Sequence, residues 1–429
     1  VFPFYYALIG LGSPLLDISA NVGSELLDKY GLKENGISAN VGSELLDKYG
    51  LKENGAVLID QQNMDKFDEI LNLDSDEILN LDSVIFLPGG SALNTIRVFQ
   101  WVLNGADRAI FFGSVGDDSE AEADRAIFFG SVGDDSEAEM LLEKTVETGV
   151  EAKFQRIEGV RTGKCFSLIN ATNRSLCACL GASLCACLGA ASLFSLDFLH
   201  LPENAKLIDT AKFFYSSAHF FTVCPEAIKH LATKAAHFFT VCPEAIKHLA
   251  TKANELERPF LFNLSADYIP GKFKKELNEI MPFVDILFGN EMEAFAYAKE
   301  MNYPTDHLHQ IALLLTEIKR NKGKRGKRGR IVLITRGEKP LIGHKMGQKE
   351  FPVIFVDKIV DTNGAGDAFC GGFLAAFACD FSLEKFLAAF ACDFSLEKCV
   401  KFALSAAAII VQNCGCTFPE EWVGECRER

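Results

Sequence analysis

The chain has 429 residues, 48% of them hydrophobic and 24% charged, which is ample material for the core of a large enzyme. A net charge of -15 and a pI near 5.1 argue against nucleic acid as the main partner. Apolar runs stay short of the roughly 18–20 residues that a membrane helix needs, so no membrane span is expected.

Exact repetition is the first feature met along the chain. Residues 18–36 recur identically as 37–55, 68–75 as 76–83, 106–122 as 123–139 and 175–182 as 183–190. The same holds for 218–235 with 236–253, 324–326 with 327–329 and 373–385 with 386–398. A solenoid has one period and diverged copies, whereas these seven units share no period and have not diverged. We read 37–55, 76–83, 123–139, 183–190, 236–253, 327–329 and 386–398 as artefactual copies, and residues 1–429 as one domain.

The opening Val1–Ile9 lacks a basic leader and a cleavage site and reads as a strand. Segments 18–60 and 154–190 are hairpin-like and are expected to form a separate small sheet, a candidate lid. Ala109–Gly116, Lys212–Ser217, Pro259–Ser265, Val284–Asn290 and Arg330–Gly337 are short apolar runs that read as buried strands. A helix is expected at Glu291–Glu300. Strands of this kind alternating with helices predict an α/β fold with a central, mostly parallel sheet covered on both faces. Ligands of such folds sit beyond the carboxyl ends of the strands, where the polar and glycine clusters of this sequence fall. The 14 cysteines show no disulfide-framework spacing, which points to reduced thiols and a cytoplasmic protein, with the nucleus as the other compartment.

Three segments carry chemistry. In Asp361-Thr362-Asn363-Gly364-Ala365-Gly366-Asp367, the glycines let successive N–H groups turn toward one point at a helix N-terminus. That arrangement suits the charge of a transferring phosphoryl group, and Asp367 just beyond it is placed to take a proton from an attacking hydroxyl. The bland alternative is an N-capped helix after a glycine turn. In Pro88-Gly89-Gly90-Ser91-Ala92-Leu93-Asn94, the glycine pair allows close approach to a ligand, and Ser91 and Asn94 either cap a helix or bond sugar hydroxyls. Asp17, ending the run Gly10–Asp17, fits a vicinal diol or a simple turn.

These segments resemble the ribokinase/phosphofructokinase-B family of carbohydrate and nucleoside kinases, with Gly89-Gly90…Asn94 and Asp361–Asp367 as its two signatures. Asn363, Pro14-Leu15-Leu16-Asp17, Asp285–Glu291 and Gly415–Glu420 favour the adenosine branch. The resemblance implies a three-layer ribokinase-like sandwich with a small β-rich lid. It also implies ATP-dependent, Mg²⁺-assisted phosphorylation of the adenosine 5′-hydroxyl to AMP by a monomer. Asp367 would be the base, Gly364, Ala365 and Gly366 the anion hole, and Arg174 a cation near the transferred phosphate. Asp17, Gly89, Gly90, Ser91, Asn94 and Asn363 fall on the ribose side, and Cys165, Leu176, Ala178 and Phe220 near the adenine. Asn290 and Glu293 match an element associated with Mg²⁺ and phosphate, with any metal held indirectly near Glu293, while Thr335 and Gly337 lie on the ATP side. The family's usual Asn before Pro14 is Ser13 here, and a glutamine often found near the adenine is Ala56, so base contacts are expected to differ. Two alternatives stay open: another nucleoside or sugar kinase of the family, or a catalytically silent nucleoside-binding protein.

Cys177-Ala178-Cys179 and Cys414-Gly415-Cys416 lack metal-ligand spacing and read as thiols without a metal. The basic run 319–330 reads as a solvated loop.

Overall fold

The computed structural model describes residues 8–21, 56–58, 84–105, 126–169, 184–187, 189–221, 243–320, 330–344, 348–379 and 396–419. Their strands are β1 (Leu8–Leu11), β2 (Leu15–Asn21), β3 (Ala56–Leu58), β4 (Val84–Gly89), β5 (Ala126–Gly133), β6 (Glu151–Ile157) and β7 (Lys164–Ile169). There follow β8 (Leu184–Cys187), β9 (Phe213–Ser217), β10 (Phe260–Asn263), β11 (Ile286–Asn290), β12 (Ile331–Arg336), β13 (Lys339–His344) and β14 (Gln348–Phe351). The longer helices are α1 (Ser91–Gly105), α2 (Ser136–Glu147), α3 (Pro243–Glu255), α4 (Glu291–Glu300), α5 (Leu308–Glu317), α6 (Ala365–Cys379) and α7 (Leu396–Ile410).

Side-chain alternation decides the layering. In β9, Phe213 and Tyr215 enter one hydrophobic core and Phe214 the other; in β12, Ile331 and Leu333 part from Val332 and Ile334 in the same way. A sheet apolar on both faces needs helices on both. α1, α2, α6 and α7 cover the first face, and α3, α4 and α5 the second.

The main sheet runs β14-β13-β12-β11-β10-β9-β1-β5-β6 and is parallel except for β13 and β14. From β1 the chain moves outward through β5 and β6, then returns to pair β9 on the other side of β1 and continues to β12. The order therefore reverses between β1 and β9, which makes a crevice at their carboxyl ends the expected ligand site. A second sheet, β3-β8-β7-β2-β4, stands apart. It begins at Leu15, before the hairpin-like segment 18–60, and it includes β4, which sequence analysis had not assigned to it. β6, overlapping 154–190, belongs instead to the main sheet, because it pairs with β5 along its whole length, from Ile127 with Glu151 to Gly133 with Ile157.

No position of a duplicated segment is described twice. The strand expected at Ala109–Gly116 lies outside the described residues, and the identical Ala126–Gly133 form β5. Ala218–Phe221 come from one copy and Pro243 onward from the next; α6 ends in one copy of 373–385 and α7 starts in the other. Among the described residues no helix is long and apolar enough to cross a membrane.

Candidate active site

The loop into α6 is set by Asp361, which is buried and accepts from the N–H of Asn363 and the N–H of Gly415, both at 2.9 Å. Gly364 follows with φ +77°, a left-handed conformation that glycine adopts without strain. The N–H of Ala368 then bonds to the Gly364 carbonyl at 2.7 Å. The N–H groups of Gly366 and Asp367 precede that bond, among the first-turn donors that have no carbonyl one turn back. A Cβ built on Gly366 would meet nothing within 4 Å. Donors, the positive end of the helix dipole and open space thus coincide.

α6 reaches α1 because Gly371 lies against it: a Cβ there would stand 2.6 Å from the Thr95 carbonyl oxygen. This approach brings Asp367 to the N-terminus of α1. Ser91 Oγ donates to Asp367 Oδ1 at 2.6 Å, and Asn94 Nδ2 lies 3.4 Å from Oδ2. Burial pushes the Asp367 carboxyl up to about 6, against the pull of those two donors. Below it, Thr95 Oγ1 donates to the Tyr215 hydroxyl at 3.1 Å, and Asn263 Nδ2 donates to Cys370 Sγ at 3.8 Å. Burial holds both the Tyr215 hydroxyl and the Cys370 thiol protonated. The floor of the site is therefore polar and uncharged.

Asp17 approaches from β2. A Cβ on Gly89 would fall 1.9 Å from Asp17 Oδ1, so the carboxylate lies directly over that glycine. At Gly90, φ is +93° and a Cβ would meet the Ser13 carbonyl oxygen at 2.1 Å. Burial raises the Asp17 carboxyl to about 7; Arg97 opposes the rise, while Asp367 and Asp361 add to it. Asp17 and Asp367 therefore belong to one acidic cluster.

The third cluster stands at the end of β11. Asn290 caps α4 by accepting from the Glu293 N–H at 2.9 Å, while Glu293 Oε2 and Oε1 accept from the Asn290 N–H and Nδ2 at 3.0 and 2.7 Å. Burial, with Asp267 and Asp367 adding to it, raises the Glu293 carboxyl to about 7. Thr335 Oγ1 donates to the Gly289 carbonyl at 3.4 Å, and Gly337 turns the chain between β12 and β13 with φ +61°.

Residues 123–423 match the pfkB family carbohydrate kinase domain. The chain belongs to the pfkB family of carbohydrate kinases. Curated relatives include adenosine kinase of Saccharomyces cerevisiae, 32% identical over 96% of this chain and 97% of that one. Adenosine kinase 2 of Arabidopsis thaliana is 31% identical over 96% of both chains. Among solved structures, Anopheles gambiae adenosine kinase in complex with P1,P4-di(adenosine-5) tetraphosphate matches with a TM-score of 0.69 and 34% identity, over 96% of this chain and 98% of that one. Schistosoma mansoni adenosine kinase in complex with 2-fluoroadenosine matches with a TM-score of 0.69 and 25% identity, over 97% and 98%.

The two signatures of this pfkB chain meet: Ser91 and Asn94 of the first touch Asp367 of the second. Asp17, Gly89 and Gly90 join them, and Asn290 and Glu293 form a neighbouring group. Cys165, buried in β7, stands opposite Asp17 in the strand register. Phe220 follows β9 and is buried edge-on against Phe194, 5.7 Å between ring centres. Arg174, Leu176 and Ala178 lie outside the described residues. Sequence reasoning missed Tyr215 and Cys370, the polar floor, and Arg97. Only Arg97 left a readable signal, standing one helical turn after Asn94 and so on the same face.

Proposed function

We propose that this chain phosphorylates the 5′-hydroxyl of adenosine with ATP as donor, using Asp367 as general base. The observation that carries the reading is Asp367 itself, raised toward neutrality and held by two donors beside an open glycine-lined helix N-terminus. The pfkB membership and the adenosine kinase relatives support it.

In this mechanism Asp17 accepts hydrogen bonds from the ribose hydroxyls, and Asn94 donates to the ribose. Asp367 takes the 5′-hydroxyl proton as the oxygen attacks the γ-phosphorus and the bond to the β-phosphate oxygen breaks. ADP leaves with the electron pair, and AMP carries the new ester. The Gly364, Gly366 and Asp367 N–H groups compensate the charge building on the phosphoryl oxygens, while the Ala365 N–H, also assigned to this hole from sequence, donates to the Thr362 carbonyl at 3.2 Å. Phosphoryl transfer depends chiefly on such placement. A Mg²⁺ ion arriving with ATP supplies further charge compensation.

No group of three acidic or thiol and imidazole ligands is assembled among the described residues. Both Glu293 oxygens already accept hydrogen bonds, so Glu293 and Asn290 fit a metal held mainly by phosphates and water. The five-stranded sheet is the element suited to close over adenosine and exclude water. We place the protein, as a monomer with reduced thiols, in the cytoplasm or nucleus.

The test is Asp367→Asn, read by ADP release with adenosine, inosine, ribose and fructose. Adenosine should be preferred by the parent chain, and the variant should bind it while losing roughly 10³-fold in kcat. Near-normal turnover in the variant removes Asp367 from its role, and preference for a free sugar removes adenosine.

A further inference from the structure

Arg97 is buried at 3% exposure on α1, three residues beyond Asn94. Its Nη1 donates to the Pro88 carbonyl at 2.6 Å and to Asn94 Oδ1 at 3.1 Å. Its guanidinium carbon lies 5.3 Å from the centre of the Phe418 ring, on which Trp101 also stacks at 4.8 Å. Trp101 Nε1 in turn donates to the Pro419 carbonyl at 2.9 Å. Arg97 is thus gripped by α1, the end of β4 and the segment after α7.

A guanidinium only donates, so the Asn94 atom facing it has to be the carbonyl oxygen. The amide nitrogen is then committed to the opposite side, where the Asp367 carboxylate lies. We propose that Arg97 is a positioning residue for phosphoryl transfer, locking the Asn94 amide so that its NH₂ faces the base and the ribose. Without Arg97 the amide can turn over and set its oxygen against the carboxylate, two acceptors with no proton between them. Both hydrogen bonds leave the single nitrogen Nη1, so a lysine ammonium replaces them only in part, being shorter and lacking the planar face that lies over Phe418. The proposal rests on the roles given above to Asp367 and Asn94.

A double-mutant cycle tests it, with kcat for adenosine as readout and circular dichroism and melting temperature as the check on folding. Arg97→Met should lower kcat about tenfold in the parent chain and less than about twofold in an Asn94→Ala background, where no amide remains to be oriented. Arg97→Lys should recover part of the loss in the parent chain and change nothing beside Asn94→Ala. An equal loss in both backgrounds would show a general packing role and overturn the proposal, as would an unchanged kcat in the parent chain. Should Arg97→Met fail to fold, Arg97→Lys carries the same cycle, with an expected loss of about threefold in the parent chain alone. Asp367→Asn keeps the two readings separable: if it is inactive while the cycle is additive, only the role of Arg97 fails.

Discussion

Two junctions in this molecule look alike in sequence, each a glycine turn running into a helix, and they differ in what requires the glycine. At Gly89 and Gly90 the protein itself fills the space: the Asp17 carboxylate and the Ser13 carbonyl lie where side chains would be. At Gly366 no other described segment comes within 4 Å of where a Cβ would stand. Gly366 lies within a helix, where glycine costs roughly 1 kcal/mol relative to alanine. No described neighbour demands that cost, so it has the form of room kept for something that arrives. On the proposed function, the first junction builds the site and the second receives the phosphoryl group.

Exchanging each glycine for alanine breaks or sharpens this contrast. Gly366→Ala should lower kcat by roughly 10²-fold while leaving the protein as stable as before, or more stable by up to about 1 kcal/mol. Gly89→Ala should do the reverse, lowering the melting temperature through about 1–3 kcal/mol of overpacking against Asp17. Thermal melts set beside initial rates read both, and destabilisation by Gly366→Ala would mean that the two junctions are of one kind.

A smaller effect separates the base from its holder. Ser91 stabilises the ionised form of Asp367, so removing its hydroxyl raises a carboxyl that already stands near 6. The base works ionised, and activity falls as pH drops through its pKa. Ser91→Ala should therefore move the acid limb of the kcat/KM profile to higher pH, and an unmoved limb would free Ser91 from this role.

The smallest expected effect is none. With one copy of each exact repeat read as artefactual, a chain carrying single copies should keep the rate and melting behaviour of the full sequence. A large loss would show that both copies contribute. Intact mass tests the artefact itself: a 47.1 kDa species would show that the copies are physically present.

Much of the site was legible because its chemistry is local in sequence. Gly364, Gly366 and Asp367 form one turn, so spacing alone places the donors beside the carboxylate. Asn290 and Glu293 likewise read as a helix cap, three residues apart. Contacts between distant segments were not legible: Ser91 meets Asp367 only because α6 packs on α1 through Gly371, and Tyr215 meets Thr95 only across the sheet. Pattern also cannot choose between identical copies: it reads a strand at Ala109–Gly116 and equally at Ala126–Gly133, which forms β5. The edge strand β6 escaped for another reason. Its residues are only half-buried and lack the apolar run that marks β9 or β10.

The hydrogen bond from Trp101 to Pro419 joins residues 318 positions apart, and that from Gly415 to Asp361 draws the same segment under the catalytic loop. Translation delivers the ribose-side helix early and its counterparts late. A ribosome carrying this chain holds Ser91, Asn94 and Arg97 in waiting until Asp367, and then Phe418, have left the exit tunnel. On the proposed roles of Asp367 and Arg97, catalytic competence is a late event in the life of the nascent chain. A product released before Pro419 would lack both the Phe418 ring over Arg97 and the Trp101 anchor, however well its sheet had formed.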